Sequence, residues 1–230
     1  MLLLAFDTAT PAVTVALHDG THVLAETTTV DARRHGELLT PAIDAVLTEA
    51  GAGRLDITVV AAGTGPGPYT GLRAGLVTAR VLGSALGVPV LGVCTLDVIA
   101  GDAVAAAGGR EFIVATDARR REVYWARYSA AGERLAGPGV SAPADIGAPG
   151  PGGPGSDGPG FDGPGAGAGP LLYPGLLGEP IEPRYPSAAT LARLAAGLLA
   201  AGAPAAGAEP VYLRRPDARV PGPPKRVTAA

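Results

Sequence analysis

"LLLAFDTATPAVTVALHDGTHVLAETTT", residues 2–29, decides the fold. It reads as three strand-like runs: LLLAFD (2–7), AVTVALH (12–18) and HVLAETTT (22–29). Asp19-Gly20 between the last two is a strong hairpin signal, because tight turns draw on residues that tolerate positive φ. The chain therefore opens with an antiparallel meander. The period then changes. In HGELLTPAIDAVLTEAG, residues Leu39, Ile43, Val46, Leu47 and Ala50 recur at helical spacing on one face, and Gly51 offers a left-handed stop. ITVVAAG (57–63) is the near-continuous apolar run of a strand covered on both faces. A helix from Thr70 to about Leu86, a strand VPVLGV (88–93) and a helix capped by Thr95 and running to about Val104 follow. A meander followed by alternating helix and parallel strand is the order of a ribonuclease-H-like layer.

EFIVATDARRREVYWARY (111–128) repeats the strand, Asp, turn, strand opening, with Asp117 ending its first strand as Asp7 ends the first strand of the chain. Such similarity of form is expected of a duplicated fold. GAPGPGGPGSDGPGFDGPGAGAGP (147–170) is mostly Gly and Pro without a three-residue period, so it reads as a flexible segment and not as collagen. A helix SAATLARLAAGLLAAG from Ser187, a last short strand AEPVYLR and a Pro-rich tail complete the chain. The expected organisation is an α/β, actin-like (ribonuclease-H-like) two-lobed fold. Its parts are an N-terminal lobe 1–106, a reduced C-terminal lobe 107–215 interrupted by 147–170, and a disordered tail 216–230.

With 230 residues and 47% hydrophobic content there is ample material for a core. A net charge of -3 gives no bulk footprint for nucleic acid. The lone Cys94 excludes an intrachain disulfide and a Cys-rich zinc site. MLLLAF reaches Asp7 without the basic flank of a signal peptide, and no apolar run approaches a membrane span, so the expected location is the cytoplasm.

GTGPGPYTGLRAG (63–75) invites a phosphate-loop reading that its details defeat. No Lys is near, the third Gly of a dinucleotide fingerprint is absent, and Pro66 and Pro68 have no N–H to offer. A rigid turn that aims a helix fits better. That helix puts Leu72, Gly75, Leu76, Ala79, Leu82, Gly83 and Leu86 on one face. Its opposite side, Ala74, Val77, Val81, Ser84 and Ala85 flanked by Arg73 and Arg80, is too apolar for open water. Leu38, Ala42 and Ala45 show the same surplus on the first helix. A contact with another chain is the first reading, and cover by the second unit is the alternative.

FDTAT (6–10), RHGELLTPAI (34–43), GPGPYTGLRAG (65–75), GVCTLDVIA (92–100), DARRREVYWARY (117–128) and AEPVYLR (208–214) together resemble the TsaB family. The resemblance covers nearly all of the first half and islands of the second. Pro68, Tyr69 and Cys94 depart from the residues usual there. It implies an actin-like, non-catalytic scaffold that pairs with the catalytic paralogue TsaD and helps recruit the ATPase TsaE. The assembly it implies puts threonylcarbamoyl on the adenosine beside the anticodon of tRNAs reading codons that begin with A. ATP and a metal would be used by the partner subunits and tRNA met only within the complex. Carried over, Leu38, Ala42, Ala45, Arg73, Ala74, Val77, Arg80, Val81 and Ser84 are the interface candidates, and the same face would serve a homodimer in isolation.

The rival is an independent actin-like ATPase or small-molecule kinase, with Asp7, Thr8 and Thr10 placed where such enzymes hold magnesium and phosphates. DTAT lacks the glycine that lets backbone approach phosphate, and Asp7 fastening the first hairpin is the plainer reading. His18, His22 and His35 form no His-x-x-x-His pair, so no metal site is expected. Arg119, Arg120 and Arg121, with Arg214, Arg215, Arg219, Lys225 and Arg226, could meet tRNA phosphate, though a solvated turn and a solubilising tail explain them as well.

Overall fold

A computed structural model describes residues 1–146, 161–202 and 207–214. The first sheet holds β1 (Leu3–Asp7), β2 (Ala12–His18), β3 (Val23–Val30), β4 (Val59–Gly63) and β5 (Val90–Val93) in the order β3-β2-β1-β4-β5. The meander β1-β2-β3 is antiparallel, whereas β4 runs parallel to β1 and β5 parallel to β4. Every residue of β1, β2 and β4 is buried, which is why these strands lack a polar alternate position.

Both faces of this sheet are covered. On one lie α1 (His35–Glu49) and α2 (Tyr69–Leu86), whose Leu39, Ile43, Val46, Leu72, Leu76 and Ala79 join Phe6, Val13 and Val15 in one core. On the other lies α5 (Ala188–Ala200), with Leu191, Ala192 and Ala195 against Leu3, Ala5, Val59, Ala61 and Leu91. The first turn of α5 is fastened to the sheet by polar side chains. Thr14 Oγ1 accepts the Ala188 N–H at 3.0 Å, and Glu26 Oε1 accepts the Ala189 N–H at 3.0 Å and the Ser187 hydroxyl at 2.9 Å. A carboxylate there suits both the unpaired N–H groups and the helix dipole.

The second sheet holds β6 (Phe112–Asp117), β7 (Val123–Tyr128), β8 (Arg134–Ser141), β9 (Phe161–Ala166) and β10 (Leu177–Pro180) in the order β10-β9-β6-β7-β8. Its meander β6-β7-β8 is antiparallel, with β9 parallel to β6 and β10 parallel to β9. This is the connectivity of the first sheet repeated, with Asp117 at the place of Asp7. Between the sheets α3 (Thr95–Ala103) packs Leu96, Ile99 and Ala100 on Phe112, Val114 and Tyr128. The two-lobed actin-like arrangement is thus present, and the second lobe is reduced. A four-residue α4 (Gly169–Leu172) joins β9 to β10, where the 18-residue α2 joins β4 to β5.

Three expectations need correction. Residues 161–170 are not loose: Phe161–Ala166 is an inner strand and α4 follows it. Glycine is required there by neighbours, since a Cβ on Gly165 would lie 2.2 Å from the Leu177 carbonyl oxygen. Residues 147–160 fall outside the described residues, as do the tail beyond residue 214 and its Arg215, Arg219, Lys225 and Arg226. Second, AEPVYLR forms no strand. Pro210 has no N–H, and the Val211 N–H to the Thr64 carbonyl at 2.9 Å is the hydrogen bond that ties this segment to the end of β4. Third, Thr95 does not cap α3; Cys94 occupies that position without a side-chain bond.

Candidate functional site

The loop after β1 and the glycine-rich loop before α2 are built against each other. Asp7 is buried, with its Oδ1 accepting the Ala9 N–H at 2.6 Å and its Oδ2 accepting the Thr95 hydroxyl at 2.6 Å. Thr95 Oγ1 in turn accepts the Gly65 N–H at 3.1 Å. The hydroxyl expected to cap a helix thus links Asp7 to the glycine-rich loop. Burial pushes the Asp7 carboxyl above the usual carboxylate range, and the bonds from Thr95 and Ala9 pull part of the way back.

Thr8 does something that sequence spacing does not announce. Its hydroxyl donates to the Gly71 carbonyl at 2.7 Å and accepts the Gly75 N–H at 3.0 Å. Those two backbone groups are four residues apart, the pair an unbroken α-helix would join directly. A side chain from the first hairpin is therefore wedged against the first turns of α2, bonded to both members of one helical pair. The glycines make the approach feasible: a Cβ on Gly75 would sit 2.5 Å from Thr8 Oγ1, and one on Gly67 2.1 Å from the Ala9 carbonyl oxygen. Protein atoms therefore pack tightly around the start of α2, and the glycine-rich loop works as an aiming device for the helix. His35 adds a strut, its Nε2 lying 2.8 Å from the Thr10 carbonyl oxygen.

The nine interface candidates fall into two groups. Arg73, Val77, Arg80, Val81 and Ser84 on α2 and Ala45 on α1 are exposed, with Val77 at 53% and Val81 at 60%. Leu38, Ala42 and Ala74 are half-buried, Leu38 and Ala42 leaning on the first core. Among the described residues, nothing from the second lobe covers Val77 and Val81. Arg80 is held by the Ala208 carbonyl at 3.1 Å and by Glu209 at 2.8 Å, which ties the extended 207–214 segment to the outer face of α2.

A relative from Mycobacterium tuberculosis, described as an uncharacterized protein, is 47% identical over 221 residues, 94% of this chain and 93% of that one. A family model described as "TsaD: tRNA N6-adenosine threonylcarbamoyltransferase" matches residues 22–172. The tRNA threonylcarbamoyladenosine biosynthesis protein TsaB of Escherichia coli is 39% identical over 135 residues, 56% of this chain and 55% of that relative. The solved structure of YeaZ from Pseudomonas aeruginosa superposes with a TM-score of 0.75 at 32% identity, covering 92% of this chain and 99% of that one. The chain belongs to the TsaB family.

In this TsaB-family chain the aromatic residue at the start of α2 has company that the sequence did not reveal. Tyr69 is exposed, its ring lies 5.7 Å from that of Tyr212, its hydroxyl accepts from Arg73 at 2.8 Å, and the Arg73 guanidinium lies 4.8 Å from its centroid. Tyr69 and Tyr212 therefore extend the exposed face of α2 beyond the residues a helical wheel selects. Among the arginines, Arg119 pairs with Asp117 at 3.2 Å and Arg214 pairs with Glu122. Among the described residues no group of three or more His, Cys, Asp or Glu side chains converges, and no helix is long and apolar enough to cross a membrane.

Proposed function

We propose that this chain serves tRNA threonylcarbamoyladenosine biosynthesis in the cytoplasm as a non-catalytic subunit, its α1–α2 face docking on a TsaD-type paralogue that modifies the adenosine beside the anticodon in tRNAs reading codons that begin with A. The single observation that carries the reading is the exposure of Val77 and Val81 on a helix whose opposite face is seated in the core. Such an apolar stripe is costly in water and typical of a surface that another chain covers. The names of the relatives supply the process. A TsaE-type ATPase would join the assembly, ATP and metal would act at the partner subunits, and tRNA would be met only there. In isolation two copies would close on the same face, since a self-complementary patch favours a two-fold dimer.

The test is Val77→Glu combined with Val81→Glu, followed by size-exclusion chromatography with the TsaD paralogue and by circular dichroism. The expected outcome is an unchanged fold with pairing lost; unchanged pairing in the folded variant would sink the interface. The rival ATPase or kinase reading needs Asp7 at a nucleotide's metal, and the Asp7 carboxylate is already engaged on both oxygens. ATP hydrolysis by the purified chain alone, lost in Asp7→Ala, would overturn the non-catalytic assignment.

A further inference from the structure

Where the two lobes meet lies a cavity of about 180 Å³, walled from the first lobe by Pro11 and Pro68 and from the second by Ala168 and Leu172. Asp7 does not line it. The volume corresponds to about six waters of liquid and falls below the ~300–1,000 Å³ of sites for larger ligands, too little for a nucleotide.

Its polar lining is Thr10, Thr116, Asp117, Arg119, Arg184 and Tyr185, with one carboxylate against two guanidinium groups. Arg119 reaches the cavity but is paired with Asp117 at 3.2 Å, so the two together are neutral. Arg184 also lines it; its guanidinium stacks 5.0 Å from the Tyr185 centroid and has no carboxylate partner among the described residues. Thr10 accepts the Ala12 N–H at 3.2 Å, which leaves its own proton free to donate. Thr116 lines the same cavity, and its buried Oγ1 has no hydrogen-bond partner.

The turn that carries Arg119 is itself strained. Arg119, Arg120 and Arg121 take φ of 64°, 55° and 61° in succession, a left-handed run that residues with a Cβ rarely adopt. Hydrogen bonds from the Arg119 N–H to Asp117 Oδ1 at 2.7 Å and from the Glu122 N–H to the Arg119 carbonyl at 3.0 Å hold it. Strain retained beside a cavity is a frequent companion of ligand sites.

We propose that this cavity binds a small organic monocarboxylate, its apolar body against the proline and leucine walls and its carboxylate on Arg184. The exposed Arg184 guanidinium, in no ion pair among the described residues, supplies the positive charge and suits a carboxylate in two-pronged contact. Because both lobes supply walls, the ligand would hold them together.

The probe is benzoate, titrated into the full chain by isothermal calorimetry, with benzamide as the uncharged counterpart and inorganic phosphate as charge without an apolar body. Two variants accompany it: Arg184→Gln, and Ala32→Phe at an exposed residue on the cavity lining, chosen to fill the mouth without touching the core. Saturable binding of benzoate, weakened about tenfold or more by each variant and by the benzamide exchange, is the expected result. Absence of saturable binding in the folded chain, or binding indifferent to both variants, would overturn the site. Phosphate binding as tightly as benzoate would overturn its assignment to organic acids.

Discussion

Thr8→Val removes one oxygen from the junction of the two loops and adds a methyl of nearly the same size, so the effect is the loss of hydrogen bonding with no sizeable cavity. The oxygen makes two buried bonds, 2.7 Å to the Gly71 carbonyl and 3.0 Å from the Gly75 N–H. At a net ~0.5–1.5 kcal/mol each, the expected loss is about 1–3 kcal/mol. The lower end applies if the Gly71 carbonyl and the Gly75 N–H satisfy each other fully in the variant, the upper end if they are left short of a partner. For a chain of this length each kcal/mol lowers the melting temperature by about 2–4 °C, so a loss of about 2 kcal/mol gives about 4–8 °C. Urea unfolding followed by tyrosine and tryptophan fluorescence reads the change as a shift in midpoint at constant slope. Thr8→Ser keeps the hydroxyl and should recover most of the stability. A Val variant within about 0.5 kcal/mol of the parent would refute the wedge as a stabilising contact. If the wedge also sets the direction of α2, the Val variant, still folded, should pair less well with the partner that the outer face of α2 is proposed to meet.

Asp7→Asn keeps the shape of the buried carboxyl and abolishes its charge. Because the folded carboxyl is raised above the ordinary 3.8, the unfolded chain releases this proton first, and Asp7 lowers stability as pH climbs from that value through its raised value. Stability measured across that window should fall less in the Asn variant than in the parent; parallel curves would show that Asp7 does not titrate as burial requires. Gly63→Ala places a Cβ 1.8 Å from Asp7 Oδ2, so it should be severely destabilising alone and markedly less so in combination with Asp7→Ala. Additive losses in that double-mutant cycle would contradict the contact. Partial burial and the nearby Asp97 push the half-buried Cys94 thiol up to about 11, so a thiol reagent at neutral pH should label it slowly in the folded chain and faster in urea; native labelling as fast as in urea would refute the raised value.

The meander is legible because short apolar runs are broken by the Asp19-Gly20 turn signal, and the helices of the first lobe with the inner face of α2 because burial on one side imprints a period of 3.6. The strand Phe161–Ala166 is not legible for a physical reason. Its glycines answer to the close approach of Leu177 and the chain around it, and nothing in FDGPGA itself distinguishes that demand from slackness. Val77 and Val81 are legible, since an exposed apolar stripe opposite a core stripe is a statement of local periodicity. Thr8 is not, because the groups it bridges lie 63 and 67 positions away. The cavity at Arg184 is harder still. Residues from several separate segments line it, and proximity between them exists only after both sheets have formed.

The docking of α5 on the first sheet has a consequence for synthesis. Strands β1 to β5 leave the ribosome by residue 93, but the helix that shields Leu3, Ala5 and Leu91 is not complete until residue 200. At roughly 5–20 residues per second, the half-covered sheet waits on the order of 5–20 seconds for its second cover. Glu26 and Thr14 wait with it, their oxygens committed to N–H groups not yet made. The nascent chain is, for that interval, a natural client for chaperones, and a truncation that removes α5 would make the interval permanent.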